Sequence, residues 1–173
     1  MSRYLIVVDM QNDFITGALG SSEAQAIVPN VVEKVKNFGG RVVFTRDSHG
    51  SDYMDTEEGR NLPVMHCVEG THGWEICDEL KQYAGVVLNK PSFGARRLGE
   101  ILAAAEYSEH IEEITFVGLC TDICVISNAM LVKAFVPESK IIVDASCCAG
   151  VSPESHKTAL EAMKACQIEI INE

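Results

Sequence analysis

The sequence predicts an α/β fold: a three-layer, doubly wound sheet, mainly parallel, of six strands with helices on both faces. Three observations predict it. Short apolar runs of strand length recur along the chain, segments with apolar residues at helical spacing separate them, and several runs stop abruptly at a charged or polar residue. Strands alternating with helices form parallel βαβ units, and strands that end in polar residues meet their loops at one edge of the sheet.

The six runs cover residues 4–8, 41–45, 85–88, 114–117, 141–143 and 168–171. Between the first two, Val28, Val31, Val32, Val35 and Phe38 recur at helical spacing, with Pro29 placed for a first turn and Gly39 and Gly40 for a stop. After the fourth run, Val125, Asn128, Ala129 and Val132 continue from Cys124 as a helical stripe. The last helix takes Ser152 as N-cap, Pro153 as first helical residue and Ala159, Ala162, Met163 and Cys166 as its apolar face. The stretch 47–75 has neither periodicity and is rich in Gly, Asp, Glu and His, so it reads as a long loop of the kind that carries function.

At 173 residues the chain fits one domain, 1–173, able to bury roughly 70% of its unfolded surface. It shows no internal repeat or linker. A net charge of −11, from 14 basic and 25 acidic side chains, repels polyanions, and nucleic acid is not an expected partner. No apolar run approaches the ~18 residues of a membrane span, and the apolar stretch in MSRYLIVVDM is too short for a secretory signal, so a cytoplasmic location and no membrane partner are expected. Seven cysteines, odd in number and mostly in apolar segments, suit reduced thiols.

Four strand ends carry candidate chemistry. Asp9 closes the first run; burial would raise its pKa and a neighbouring cation would lower it, which tunes a carboxylate as a base. An Asp in that position also serves as an ordinary turn or cap residue. Lys90 closes the third, held extended by Pro91, and is either a partner for Asp9 or a surface lysine. The GLCTDIC turn after the fourth delivers Cys124 to a helix N-terminus, where the dipole and free N–H groups would lower the thiol pKa from ~8.5 and receive an oxyanion; the alternative is a core cysteine. After the second run, Asp47, His49 and the distant His66 have the residue types of a three-ligand metal site, with Asp55 or Glu58 available as a further carboxylate. His72, His110 and His156 read as surface or helix residues.

With DMQNDF, TRDSH, HCVEGT, NKPSFGA and VGLCTDICV laid out in order, the chain resembles the isochorismatase-like cysteine hydrolases, nicotinamidases in particular, over nearly its whole length. The resemblance implies that Asp9 is the general base, Lys90 its catalytic partner and Cys124 a nucleophile that cleaves a small amide through a thioester. It further implies an oxyanion hole at the amides of Cys120 and Cys124, a cis peptide at Leu119-Cys120, Phe14 on the substrate pocket wall, and Asp47, His49 and His66 around zinc, iron or manganese. A homo-oligomer, dimer or tetramer, is expected on the same ground. Two departures stand out: Asn61, Leu62 and Pro63 occupy the place where nicotinamidases often carry a pyridine-stacking Trp, and the extra histidine that many nicotinamidases place between the first and last metal ligands is absent, leaving Asp55 or Glu58 as substitutes. A ureido or carbamoyl substrate for the same triad, a catalytically silent scaffold, and a redox-sensing role for Cys120 and Cys124 are the alternatives.

Overall fold

A computed structural model describes residues 2–173. Six strands form one sheet: β1 (Ser2–Val8), β2 (Arg41–Asp47), β3 (Val87–Lys90), β4 (Ile111–Leu119), β5 (Lys140–Ala149) and β6 (Glu169–Ile171). Their order is β3-β2-β1-β4-β5-β6, and all five pairings are parallel, so the expected sheet is present without an antiparallel member. The helices are α1 (Asn12–Ile15), α2 (Ser22–Asn37), α3 (Glu57–Asn61), α4 (Asp78–Lys81), α5 (Arg96–Glu109), α6 (Ile126–Phe135) and α7 (Pro153–Ala165).

β1 shows why both faces are covered. Tyr4, Ile6 and Val8 pack with Leu98 and Leu102 of α5, Val132 of α6 and Leu160 of α7, whereas Leu5 and Val7 pack with Val31 and Val35 of α2 on the other face. The chain steps from β1 to β2 and β3 in one direction, then crosses to the far side for β4, β5 and β6. Right-handed crossovers put helices on opposite faces for the two directions, which is the observed segregation. The order reverses between β1 and β4, and the crevice beyond the carboxyl ends of those two strands is where such sheets bind ligands.

Several boundaries differ from the expectations. Pro29 lies in the interior of α2 because the helix begins earlier, at Ser21, whose Oγ accepts from the Ala24 N–H at 3.0 Å. Pro29 and Gln25 are both exposed, so the helical hydrogen bond that the proline omits is lost on the solvent side of the helix, where the cost is tolerable. The face of α7 is Ala159, Leu160 and Met163; Ala162 and Cys166 are exposed. Ser152 and Pro153 begin that helix as expected, within a capping box completed by Ser155. The 47–75 stretch is not structureless: it holds a 3-10 turn at Tyr53–Asp55 and α3, capped by Thr56. β3 begins two residues later than its apolar run suggests, because it pairs with β2 from Phe44↔Val87 to Asp47↔Lys90.

Candidate active site

Asp9, Asp47 and Lys90 owe their positions to strand ends. Asp9 follows β1 with φ 47°, a left-handed conformation that Asp adopts more readily than most residues, and it is fully buried. Lys90 is the last residue of β3 and the register partner of Asp47. β4 approaches β1 so closely at Gly118 (φ +116°) that a Cβ there would stand 2.1 Å from the Val8 carbonyl oxygen. The chain then passes through a cis peptide at Leu119-Cys120, as expected, into a π-helical turn, Thr121–Val125, that precedes α6. Cys124 is carried on that turn, not on the first residues of the α-helix.

The structure brings Asp9, Lys90 and Cys124 together. The Lys90 ammonium lies 2.7 Å from Asp9 Oδ2, and it donates to Asp47 Oδ1 at 3.1 Å and to Cys124 Sγ at 3.4 Å. Asp9 Oδ1 accepts from the buried Thr45 hydroxyl at 2.7 Å. Asp9 Oδ2 is paired with the ammonium by charge but lacks an aligned hydrogen bond. Burial raises the Asp9 pKa, against the opposing pull of Lys90. Burial also opposes charge on Lys90, but Asp9, Cys124 and Asp47 outweigh it and keep the ammonium protonated.

The thiol departs from the sequence expectation. Burial and the Asp9 carboxylate push Cys124 well above its ordinary value, and Lys90 only partly offsets them. At rest it is a neutral thiol beside a carboxylate, because desolvation outweighs any effect of a helix end. Burial likewise pushes Cys120 up to about 12.

Asp47, His49, Glu58 and His66 present four ligand atoms that all lie within 4.8 Å of one another. Of the two carboxylates left open by the sequence, α3 supplies Glu58; Asp55 is not in the set. His49 Nε2 is 2.8 Å from Asp47 Oδ2 and 3.6 Å from Glu58 Oε1. His66 donates from Nδ1 to the Val64 carbonyl at 2.8 Å, which turns Nε2 toward Asp47 and Glu58, 3.6 and 3.8 Å away. Two imidazole nitrogens and two carboxylate oxygens suit a divalent ion such as zinc, iron or manganese. Burial would raise Asp47, yet the hydrogen bond from His49, the neighbouring His66 imidazole and the charge of Lys90 hold it well below the usual carboxylate range.

The sequence reading missed several supports. Tyr53, fully buried, packs against both imidazoles, with ring centroids 4.7 Å from His49 and 5.0 Å from His66. Gln11 clamps the Asp47 backbone, donating to its carbonyl at 2.8 Å and accepting from its N–H at 2.7 Å. Asp13 accepts from the Cys67 N–H at 2.7 Å and so anchors the segment that carries His66. Gln11 and Asp13 belong to DMQNDF, whose run of polar residues after a buried strand was a usable signal; Tyr53 gave none. His156, read as a surface or helix residue, is on α7, half-buried and 2.8 Å from Thr121 Oγ1 on the turn that carries Cys124.

A cavity of about 340 Å³ opens onto these groups. Phe14, Leu19, Leu62, Phe93, Ile123 and Val151 form its apolar walls, and Asp47, Glu58, His66, Cys120 and Cys124 its polar end. Phe14 lines this cavity 5.6 Å from the His66 ring. Trp74 is elsewhere, stacked under Arg46 and donating to Ser48, so Leu62 and Phe93 face the cavity without an indole.

The isochorismatase domain family model matches residues 3–173. The chain belongs to that family. It is 29% identical over 186 residues to a nicotinamidase/pyrazinamidase of Mycobacterium tuberculosis, covering 98% of each chain. A crystal structure of a pyrazinamidase of Pyrococcus horikoshii in complex with zinc superposes with a TM-score of 0.83 at 30% identity, covering 100% of both chains. An N-carbamoylsarcosine amidase from Thermoplasma acidophilum gives a TM-score of 0.78 at 29% identity, covering 100% of this chain and 98% of that one.

Proposed function

We propose that this isochorismatase-family protein hydrolyses a small neutral amide, as its nicotinamidase relatives do, through a thioester on Cys124. The observation that carries the reading is the meeting of a buried base and a buried cation, Asp9 and Lys90, with a thiol, Cys124, that lines an apolar cavity. Asp9, whose proton affinity burial has raised, takes the thiol proton as sulfur attacks the amide carbonyl. Lys90 stabilises the negative charge at sulfur while Asp9 becomes neutral. The backbone N–H groups of Cys120 and Cys124 receive the oxyanion. Collapse of the tetrahedral species expels ammonia or an amine, which takes its proton from Asp9. Asp9 then removes a proton from water, which attacks the thioester and releases the acid and the thiol.

Asp47, His49, Glu58 and His66 would hold a divalent metal, which when bound supplies a Lewis-acidic positive charge beside the reacting carbonyl. With two carboxylates in the set, the loaded site is formally neutral, and the cavity lining includes no Lys or Arg side chain. A substrate bearing its own carboxylate therefore finds no fixed cation, which favours a neutral amide over ureido and carbamoyl acids. Redox sensing is disfavoured because burial keeps Cys120 and Cys124 protonated, whereas sensor cysteines depend on thiolate. Residues 1–173 act as one domain in this reading, in the cytoplasm and as a dimer or tetramer; light scattering reads the assembly directly.

Ammonia release from a panel of amides is the test. Nicotinamide, pyrazinamide and neutral alkyl amides should include a substrate, and rapid quenching should trap one acyl group on Cys124. Turnover of N-carbamoyl acids alone, or turnover surviving Cys124→Ala, refutes the reading.

A further inference from the structure

We infer that Asn128 is the positioning residue that locks the pocket wall at Phe93 to the nucleophile, and so sets substrate fit. The inference rests on the proposed amide hydrolysis for its kinetic consequence but on the geometry alone for its structural one. Asn128 is on α6, one helical turn beyond Cys124, and is fully buried. Its side chain makes three hydrogen bonds. Nδ2 donates to the Cys124 carbonyl at 2.8 Å and to the Phe93 carbonyl at 3.0 Å, and Oδ1 accepts from the Ala95 N–H at 2.8 Å.

Those three partners belong to two pieces of chain that approach the site from different strands. Cys124 arrives on the turn after β4, whereas Phe93 and Ala95 arrive on the segment after β3, three and five residues beyond Lys90. That segment has no regular structure between β3 and α5, and Phe93 is 45% exposed although it lines the cavity. Phe93 thus lacks the packing that would fix it from outside. An amide with two donors and one acceptor is what the bridge needs: a helix-interior carbonyl on one side, a loop carbonyl and a loop N–H on the other. No apolar side chain serves this position, since it would leave the buried Ala95 N–H and the part-buried Phe93 carbonyl without their partner. The consequence is that the wall contacting the acyl group moves with the nucleophile as one unit, so that acyl recognition and thiol placement are coupled through one side chain.

Asn128→Thr separates the two halves of the bridge. A threonine hydroxyl bonds the carbonyl four residues earlier in a helix, here that of Cys124, but is too short to reach the Phe93–Ala95 segment. The expected result is KM raised about tenfold at a kcat changed by less than about threefold. Alkylation of Cys124 by iodoacetamide should keep its wild-type rate in the same variant. Asn128→Ala removes both halves, and both KM and the alkylation rate should change. Circular dichroism and urea unfolding establish that each variant is folded, and a variant that fails to fold is replaced by Asn128→Asp, which keeps only the acceptor for Ala95. Folded variants with wild-type KM and wild-type alkylation overturn the inference, as does an equal loss of kcat in Asn128→Thr and Asn128→Ala with KM unchanged. If the wild-type protein turns over no amide, the functional reading fails. The alkylation rates of the two variants, and the protection that benzamide gives Cys124 in each, then still decide the role of Asn128: rates and protection that match the wild type reject it.

Discussion

Thr45→Val is the most informative single perturbation of the site. Thr45 is completely buried on β2, and its hydroxyl is 2.7 Å from Asp9 Oδ1, a distance typical of a charge-assisted O–H···O bond. Valine keeps the volume and the strand preference but removes the donor. A hydrogen bond to a charged group contributes about 1.5–3 kcal/mol. The cost falls on the carboxylate and largely spares the neutral acid, so at ~1.4 kcal/mol per pKa unit Asp9 should rise by about one to two units above a value that burial has already raised. The sign follows from protonation. A folded-state pKa above the unfolded one means that stability is highest below the unfolded pKa and is lost as pH rises through the folded pKa. Thr45→Val should therefore cost about 1.5–3 kcal/mol in urea unfolding on the alkaline side of the Asp9 pKa, with the deficit shrinking on acidification. In the rate profile, the acidic limb of kcat/KM should move alkaline by the same one to two units, since only ionised Asp9 can take the thiol proton. An acidic limb that stays in place in a folded variant refutes the assignment of Asp9 as the base, whatever happens to stability.

Cys124→Ala should lower kcat by at least about a thousandfold while shifting stability by about 1 kcal/mol or less, read by ammonia release and urea unfolding. His66→Ala and Glu58→Gln should weaken metal retention by more than the ~10–100-fold that loss of an outer partner costs, read by elemental analysis after dialysis; unchanged stoichiometry in both removes the metal assignment. Gly118→Ala forces a Cβ to within 2.1 Å of the Val8 carbonyl oxygen at φ +116°, so it should destabilise the fold by more than about 3 kcal/mol, measured by urea unfolding.

The sheet was legible because its strands are buried on both faces, which writes them as continuous apolar runs. The ends were harder. β3 has an intermediate and exposed pattern up to Lys90, so its limits are set by pairing with β2, which no local pattern records. Pro29 misled because its place in α2 depends on a cap at Ser21 and on the exposed face it occupies. At the site, the charged residues were readable because a polar side chain that ends a buried run has few structural reasons to be there. Glu58 could not be separated from Asp55 by spacing alone, since the short helix that orients it is fixed by the Thr56 cap and by contacts with Tyr53. The protonation state of Cys124 was misread for a related reason: a helix terminus is visible in sequence, whereas the burial that overrides it is a property of the assembled fold.

The order of the strands explains why the thiol centre and the candidate metal set are not independent. Neighbouring parallel strands lie ~4.8 Å apart, so residues at their carboxyl ends are brought into contact by adjacency alone. Along β3-β2-β1-β4 the sheet edge therefore presents Lys90, Asp47, Asp9 and then the Cys120–Cys124 turn in one row. Asp47 stands between the two functions: Oδ1 is 3.1 Å from the Lys90 ammonium, and Oδ2 is 2.8 Å from His49 Nε2. A charge drawn to Oδ2 changes how strongly Oδ1 holds Lys90, and Lys90 is the cation that tunes Asp9. The loss on substituting Asp47 belongs to both centres at once. Apportioning it requires a double-mutant cycle between Asp47→Asn and Glu58→Gln, because one carboxylate bridging two networks makes their separate effects non-additive.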